Sequence, residues 1–249
     1  MSAEPMQSPV LADPPRLAVV IPLYNHGRTV AAVVRGCRDL GAPVFVVDDG
    51  STDGGAQTIG AAQNVHILGH GRNRGKGAAL LTGMAAAAPR ADWAVTLDAD
   101  GQHYPEDIAG LVAAIPAGER PLIVGCREGM LRERAPWTSR FGREFSNFWV
   151  RLAGGPRMAD SQSGFRLYPL PETLKLPVRA RRFQFEVEVL VQARRSGLAV
   201  REAPIRVRYG DLARRISHFH PFFDFLRNFG VFSRLITQRV LGLDQGRSK

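Results

Sequence analysis

The hydrophobic positions of the chain fall into short runs rich in β-branched residues, and a polar or glycine-rich turn follows each run. Continuous apolar runs of this length predict buried strands, here over residues 17–22, 44–49, 65–68, 93–97 and 122–126. The stretches between them predict helices over residues 29–40, 76–88 and 105–115. Such alternation indicates an α/β fold, in which helices cover both faces of a mainly parallel sheet.

The second half of the chain follows a less regular pattern. It predicts helices over residues 139–153 and 183–195, extended segments over 164–168 and 200–208, and a C-terminal helix rich in Phe and Arg over 219–243. We therefore divide the chain into a disordered, Pro-rich tail at residues 1–15, an α/β domain at 16–212 and a basic, aromatic helical extension at 213–249.

Composition adds a charge and a compartment to this picture. A formal net charge of +10 over 249 residues suits anionic partners, which include nucleic acid, phosphorylated small molecules and an acidic membrane face. Cys37 and Cys126 cannot form a disulfide framework, so we expect a reducing, cytoplasmic compartment. We expect neither a membrane-spanning run nor a signal peptide, which leaves a peripheral position on the inner face of the cytoplasmic membrane open.

Candidate chemistry follows the strands, because ligands of open parallel sheets bind beyond the carboxyl ends of the strands. Asp98-Ala99-Asp100 places two carboxylates at the end of a predicted buried strand, where ionising both is costly unless a cation lies between them. Mg²⁺ or Mn²⁺ would supply that cation and keep coordination positions for substrate phosphates. By itself the motif is explained equally well by an exposed loop with solvated acids.

Two further turns carry polar residues. Asp48-Asp49-Gly50-Ser51 can accept a hydrogen bond from a ribose hydroxyl or a base N–H, or it can cap a helix. The segment Gly71 to Gly77 is glycine-rich and basic, but it lacks the spacing and the Ser or Thr of a P-loop, which excludes that class of NTPase. A loop of this kind still permits approach of a pyrophosphate or close helix packing.

Five motifs occur in one order: Pro22-Leu23-Tyr24-Asn25, Asp48-Asp49-Gly50-Ser51, Asn73-Arg74-Gly75-Lys76-Gly77, Asp98-Ala99-Asp100 and Asp160-Ser161-Gln162-Ser163-Gly164-Phe165-Arg166. Together they resemble family 2 glycosyltransferases, in particular the branch of dolichol-phosphate mannosyltransferase and polyprenyl-phosphate sugar synthases. The resemblance spans about residues 17–209. It implies a GT-A fold of the Rossmann-like nucleotide-diphospho-sugar transferase type, a GDP- or UDP-linked sugar donor, Mg²⁺ or Mn²⁺, and transfer with inversion.

The resemblance also implies roles for individual residues. The nucleotide-sugar would be bound by Pro22, Tyr24, Asn25, Val47, Asp49, Lys76, Asp98, Ala99, Asp100, Arg127 and Arg215. The metal would be held by Asp98, Asp100 and Gln102, and the acceptor by Arg127, Arg140, Arg143 and Gln184. The catalytic set would be Asp160, Arg127 and Asp100. Gln184 lies in a segment that matches the family's aromatic and acidic helix, although a helix with a core aromatic stripe explains it too.

The sequence departs from the family pattern at two places. His26 stands where the family has an acid, so the family's contacts to the nucleobase and the ribose do not carry over at this position. The late basic element that closes over the donor phosphates is reduced to Arg214-Arg215-Ile216-Ser217-His218, so His218 or an arginine would replace its lysine. A metal site at His218 and His220 is the alternative for this segment.

The sequence does not decide whether the acceptor group is a phosphate or a hydroxyl. A lipid phosphate is ionised near neutral pH and attacks without a base, whereas an alcohol needs one, for which Asp160 is the candidate. The arginines between the fifth strand and the next helix favour a phosphate, unless they form only a solvated basic loop. The C-terminal helix suits an anionic membrane surface, core packing or a dimer contact.

Two rival functions remain at this point. The same fold can transfer sugar to a hydroxyl on a lipid, a pigment or a glycan. A nucleic-acid-binding module without catalysis would also explain the charge, but it leaves Asp98 and Asp100 without a use, so we expect no nucleic-acid partner.

Overall fold

The structure is a computed structural model that describes residues 15–127, 137–208 and 221–242, without the side chains of residues 137–142 and 221–229. The described strands are β1 Leu17–Leu23, β2 Val44–Asp48, β3 Val65–Gly69, β4 Trp93–Thr96, β5 Leu122–Arg127, β6 Arg166–Pro169 and β7 Val200–Ile205. The described α-helices are α1 Val30–Arg38, α2 Lys76–Ala87, α3 Ile108–Ala113, α4 Trp137–Leu152, α5 Glu172–Lys175, α6 Phe185–Arg195 and α7 Pro221–Val240. The short α5 is the one helix among these that the sequence pattern did not predict.

The strands form one sheet in the order β3-β2-β1-β4-β6-β5-β7. Neighbouring strands are parallel except where β6 pairs with β4 and β5, so the predicted, mainly parallel α/β sheet is confirmed. Because β6 runs antiparallel, its first residue lies at the edge where β4 and β5 end. The segment that precedes β6, which contains the Asp160 to Arg166 motif, is thereby brought to the same edge as Asp98 and Arg127.

Apolar cores lie on both faces of the sheet. Helices α2, α4, α6 and α7 pack on one face, and α1 and α3 pack on the other. The close packing of α2 depends on Gly83, because a Cβ there would collide with Val20 of β1. This contact places the first residue of α2, Lys76, beside the end of the central strands.

Some boundaries differ from those predicted. The third predicted helix begins as a 3₁₀ turn at Pro105–Asp107 and continues as α3, and the strand predicted over residues 200–208 ends at Ile205. In the described ranges no helix is both long and apolar enough to cross a bilayer. The division into tail, domain and extension stays a prediction, since residues 1–14, 209–220 and 243–249 are outside the described ranges.

Candidate active site

The carboxyl ends of β1, β2 and β4 open into a cavity of about 470 Å³. Residues at the start of α2 and just before α6 complete its wall. Six of the predicted nucleotide-sugar-binding residues line this cavity: Pro22, Tyr24, Asp49, Lys76, Asp98 and Ala99. Acids from two separate strand ends therefore share one hollow, as the sequence pattern required.

Lys76 is held between two carboxylates. Its Nζ lies 2.6 Å from Asp98 Oδ1 and 2.6 Å from Glu186 Oε1. Burial opposes the charged lysine, but the two carboxylates together raise the pKa of Lys76 above its usual value. Gly164 leaves room for this triad, because a Cβ at that position would lie 2.6 Å from the Lys76 Nζ. The glycine of the Asp160 to Arg166 motif thus makes space for charged groups.

Asp98 and Asp100 differ in their electrostatic surroundings. Burial by itself would raise the pKa of Asp98, but Lys76, His103 and His26 together outweigh burial and lower this pKa. Burial raises the pKa of Asp100, and the charge of Asp98 raises it further. The backbone N–H of Gln102 donates to Asp100 Oδ1 at 3.0 Å. A cation between the two carboxylates would relieve their repulsion, and carboxylate oxygens are the donors that Mg²⁺ and Mn²⁺ prefer.

Asp98 and Asp100 are enough to hold a metal ion whose remaining coordination positions are filled by a bound substrate. Within the described ranges, no three His, Cys, Asp or Glu side chains are grouped to hold a metal ion. Mg²⁺ in phosphate-binding sites is typically held by one or two carboxylates together with substrate phosphates. Asp98 and Asp100 therefore fit a metal that binds together with a nucleotide diphosphate.

Asp49 lines the cavity, but the neighbouring loop already uses its carboxylate. Oδ1 accepts from the backbone N–H of Arg74 at 2.9 Å and Oδ2 from that of Gly75 at 2.7 Å. His70 Nδ1 lies 2.6 Å from Oδ1. Asp49 thus positions the loop that leads into α2, which adds a structural role to the nucleoside contact predicted for it.

Four other predicted nucleotide-binding residues that the structure describes are not among those that line the cavity: Asn25, Val47, Asp100 and Arg127. Asn25 joins two loops: its backbone N–H donates to Ser51 Oγ at 3.0 Å, and its Oδ1 accepts from the Thr52 N–H at 2.8 Å. Val47 is fully buried under α2, where a Cβ at Gly83 would lie 3.1 Å from its Cγ2. The contacts shown for Asn25 and Val47 are structural, and the nucleotide contacts assigned to them stay predictions.

Arg127 and Asp160 are paired with each other. Arg127 Nε donates to Asp160 Oδ2 at 2.6 Å and its terminal nitrogen donates to Oδ1 at 2.8 Å. The Asp160 side chain is fully buried, whereas that of Arg127 is 17% exposed. The pair holds the end of β5 against the segment before β6, and both oxygens of the candidate base accept from a guanidinium.

Arg143 on α4 is a buried cation with unused donors. It is 7% exposed, and its Nε and one terminal nitrogen have no hydrogen-bond partner among the described residues. Burial raises the pKa of Cys126 to about 11, and both Arg143 and Arg127 lie close enough to oppose that shift. Two of the three predicted acceptor arginines therefore approach the same strand end.

The remaining predicted residues are distributed as follows. Gln184 lies just before α6 with 4% exposure, and its Nε2 has no hydrogen-bond partner in the described part of the chain. The side chain of Arg140 and the whole of Arg215 lie outside what the structure describes, as do His218 and His220. Their assigned roles stay predictions.

The sequence interpretation missed several residues of the site. Asn73, Arg182 and Phe183 line the cavity, and Arg182 donates to Asn73 Oδ1 at 3.2 Å. Arg166 is fully buried and donates to three carbonyl oxygens, those of Ser161, Ser163 and Glu186. The Arg181-Arg182-Phe183 run next to a predicted acidic helix could have indicated the first group, but no local pattern indicates the contacts of Arg166.

Comparisons with known proteins find relatives that match most of the chain. A model of glycosyl transferase family 2 matches residues 18–169. UDP-N-acetylglucosamine–dolichyl-phosphate N-acetylglucosaminyltransferase of Methanococcus voltae is 32% identical over 213 residues, which cover 77% of this chain and 85% of the relative. Polyprenol monophosphomannose synthase of Mycolicibacterium smegmatis is 30% identical over 212 residues, 76% of each chain.

A solved structure shares the fold. Glucosyl-3-phosphoglycerate synthase from Mycobacterium tuberculosis, in complex with Mn²⁺ and UDP-glucose, superposes with a TM-score of 0.63 at 23% identity. The match covers 94% of this chain and 80% of that one. The likeness confirms the fold predicted from the motifs.

Proposed function

The chain belongs to glycosyl transferase family 2, and we propose that it is an inverting, metal-dependent enzyme that transfers a hexose from a nucleotide diphosphate to a lipid phosphate. Polyprenyl phosphate is the acceptor we propose, in line with the names of the relatives from Methanococcus voltae and Mycolicibacterium smegmatis. The observation that carries the proposal is the buried Arg143 guanidinium, whose Nε and one terminal nitrogen donate to nothing in the described part of the chain. Burying such a charge without a partner is costly, and a phosphate would provide one.

The donor is assigned to the 470 Å³ cavity. Pro22, Tyr24 and Asp49 would contact the nucleoside, and Asp98 and Asp100 would hold Mg²⁺ or Mn²⁺ against the diphosphate. The metal, when bound, neutralises the negative charge that develops on the leaving diphosphate. Lys76 adds a positive charge at the same end of the cavity, and Gly164 leaves space for it.

The acceptor is assigned to the side of Arg143 and Arg127. A phosphate oxygen would attack the anomeric carbon, the bond from that carbon to the diphosphate oxygen would break, and the nucleoside diphosphate would leave with the electron pair. Configuration inverts because attack and departure take place on opposite faces. An ionised phosphate needs no general base, so Asp160 can remain paired with Arg127 throughout.

A hydroxyl acceptor is the weaker candidate. It requires a general base, and the Asp160 carboxylate accepts from Arg127 through both oxygens. A lipid-phosphate acceptor would place the enzyme at a membrane, and we propose a peripheral position on its cytoplasmic face.

Incubation of the purified protein with Mg²⁺ or Mn²⁺, a set of UDP- and GDP-sugars and undecaprenyl phosphate tests the proposal. We expect a lipid-linked sugar from one donor, and its absence after addition of EDTA. Transfer to alcohols but not to the lipid phosphate would overturn the phosphate assignment. Consumption of no donor, together with unchanged nucleotide binding in Asp98→Asn, would overturn the assignment as a transferase.

A further inference from the structure

The C-terminal ends of α4, α6 and α7 meet at a basic hollow of about 690 Å³, separate from the donor cavity. Five arginines line it: Arg151, Arg157, Arg194, Arg195 and Arg239. No Asp or Glu is among its lining residues in the described part of the chain. So much unbalanced positive charge in one place is repulsive by itself and requires an anionic partner or water to offset it.

Helix capping accounts for only part of this cluster. Arg195 donates to Ala153 O at 3.0 Å and Arg239 to Leu152 O at 2.8 Å, so both satisfy carbonyls at the C-terminal end of α4. Arg151 and Arg157 are exposed, and neither side chain makes a hydrogen bond or ion pair to another described residue. These two guanidinium groups have no structural role that explains their position.

Exposed apolar side chains are concentrated on the same helix ends. The described ranges contain six large apolar side chains that are well exposed, and four of them are Phe148, Leu152, Val240 and Leu241, with 42 to 78% exposure. Phe148 and Leu152 line the hollow, and Val240 and Leu241 directly follow Arg239 at the end of α7. We call these four residues and the five arginines the arginine face.

A surface that combines exposed apolar side chains with arginines is suited to one kind of partner. A soluble anion would bind the arginines and leave Phe148 and Leu152 in water. An anionic bilayer provides both lipid phosphates and an apolar acyl region beneath them. We propose that the arginine face docks on an anionic phospholipid bilayer. Arg151 and Arg157 contact lipid phosphates, and Phe148 and Leu152 enter the headgroup region.

The position of α4 connects this face with the acceptor side. Arg143 and Arg151 are eight residues apart on α4, which corresponds to roughly 12 Å along a helix. A bilayer in contact with the outer face of α4 would therefore lie within a short distance of the buried Arg143. The docking deepens the proposed function, since it would present a lipid phosphate to that arginine, but vesicle binding itself does not require sugar transfer.

Co-sedimentation with vesicles tests the docking. The probes are phosphatidylglycerol mixed with phosphatidylcholine, and phosphatidylcholine alone. We expect the full chain to bind the anionic vesicles and to lose binding as salt is raised. The variant Arg151→Glu/Arg157→Glu should bind the anionic vesicles at least about 25-fold more weakly, since each lost basic charge near such a surface corresponds to roughly a fivefold change.

The matched control is Arg35→Glu/Arg38→Glu. These arginines are exposed on α1, which packs on the opposite face of the sheet, and the change in net charge is the same. The control should lose much less binding. A second variant, Phe148→Ser/Leu152→Ser, should weaken binding most clearly at high salt, where the apolar contribution dominates.

Several outcomes would overturn the docking. They are no binding of the unaltered chain to anionic vesicles, equal losses in both charge-reversal variants, or a dimer in gel filtration that Arg151→Glu/Arg157→Glu dissociates. The last result would make the face a contact between two copies. Transfer to a short-chain, water-soluble prenyl phosphate separates the two proposals, because it should be unaffected in every variant of the face. Vesicle binding without any sugar transfer would leave the docking in place and remove the proposed function.

Discussion

Charge is balanced in opposite ways on the two sides of the candidate active site. In the donor cavity the Lys76 Nζ lies 2.6 Å from each of two carboxylates. On the acceptor side Arg143 is buried, and two of its nitrogens donate no hydrogen bond to any described residue. A nucleotide diphosphate binds with a metal, so a cavity built for it carries acids. A phosphate monoester brings no cation, and the protein must supply the positive charge.

Asp98→Asn should have the largest effect. The substitution keeps the shape of the side chain, but it removes the charge that pairs with Lys76 and that would hold the metal. We expect kcat/KM for sugar transfer to fall by about 10²- to 10³-fold, as is typical when a preorganised electrostatic contact is lost. Asp92→Asn, at a half-buried aspartate that pairs with Arg16 before β4 and does not line the cavity, is the matched control and should transfer normally. Full activity of Asp98→Asn would contradict the assignment of the donor cavity to a metal-bound nucleotide diphosphate.

Arg143→Met should separate function from stability. The KM for the lipid phosphate should rise by about 10- to 100-fold, the range expected for a lost charged hydrogen bond, while the KM for the donor stays near its original value. Because two nitrogens of the buried guanidinium donate to no other described residue, the thermal midpoint of the ligand-free protein should stay equal or rise. Arg90→Met, at an exposed arginine, is the control. A large loss of stability would show that Arg143 serves the fold.

Asp160→Asn should have a moderate effect if the acceptor is a phosphate. The amide can still accept one hydrogen bond from Arg127, and an ionised phosphate needs no base, so kcat should fall by less than about tenfold. A general base for a hydroxyl acceptor would give a loss of about 10²-fold or more. A pH–rate profile that loses its acidic limb in the variant would favour the hydroxyl acceptor.

Asp100→Asn gives the smallest of the expected effects, which is a change in the thermal stability of the metal-free protein. Burial and Asp98 raise the pKa of Asp100, so its charged form destabilises the fold once the pH rises through that pKa. The variant should therefore unfold about 2–4 °C higher at neutral pH. The advantage should vanish below the ordinary carboxyl pKa of about 4, where both states carry the proton. Mn²⁺ with nucleotide should stabilise only the original protein; equal stabilisation of both would exclude Asp100 as a ligand.

The local sequence pattern was enough to predict the strands and helices and much of the donor site. The β-branched runs predicted the strands within a few residues, because continuous apolar runs must be buried. Asp98 and Tyr24 could be placed together since the carboxyl ends of parallel strands share an edge, and the family resemblance added Lys76. The same rule did not reveal that Asp49 is engaged by the backbone of Arg74 and Gly75, because that bond depends on the path of a loop.

The residue types and their order along the chain therefore determined the family, the α/β architecture and which acids end the central strands. Only the tertiary structure decided the partners: Glu186 for Lys76, Arg127 for Asp160, and three carbonyls for Arg166. The physical reason is the antiparallel insertion of β6 between β4 and β5, which brings together segments remote in the chain. Contacts of that kind are set by sheet order and helix packing, and no local periodicity encodes them.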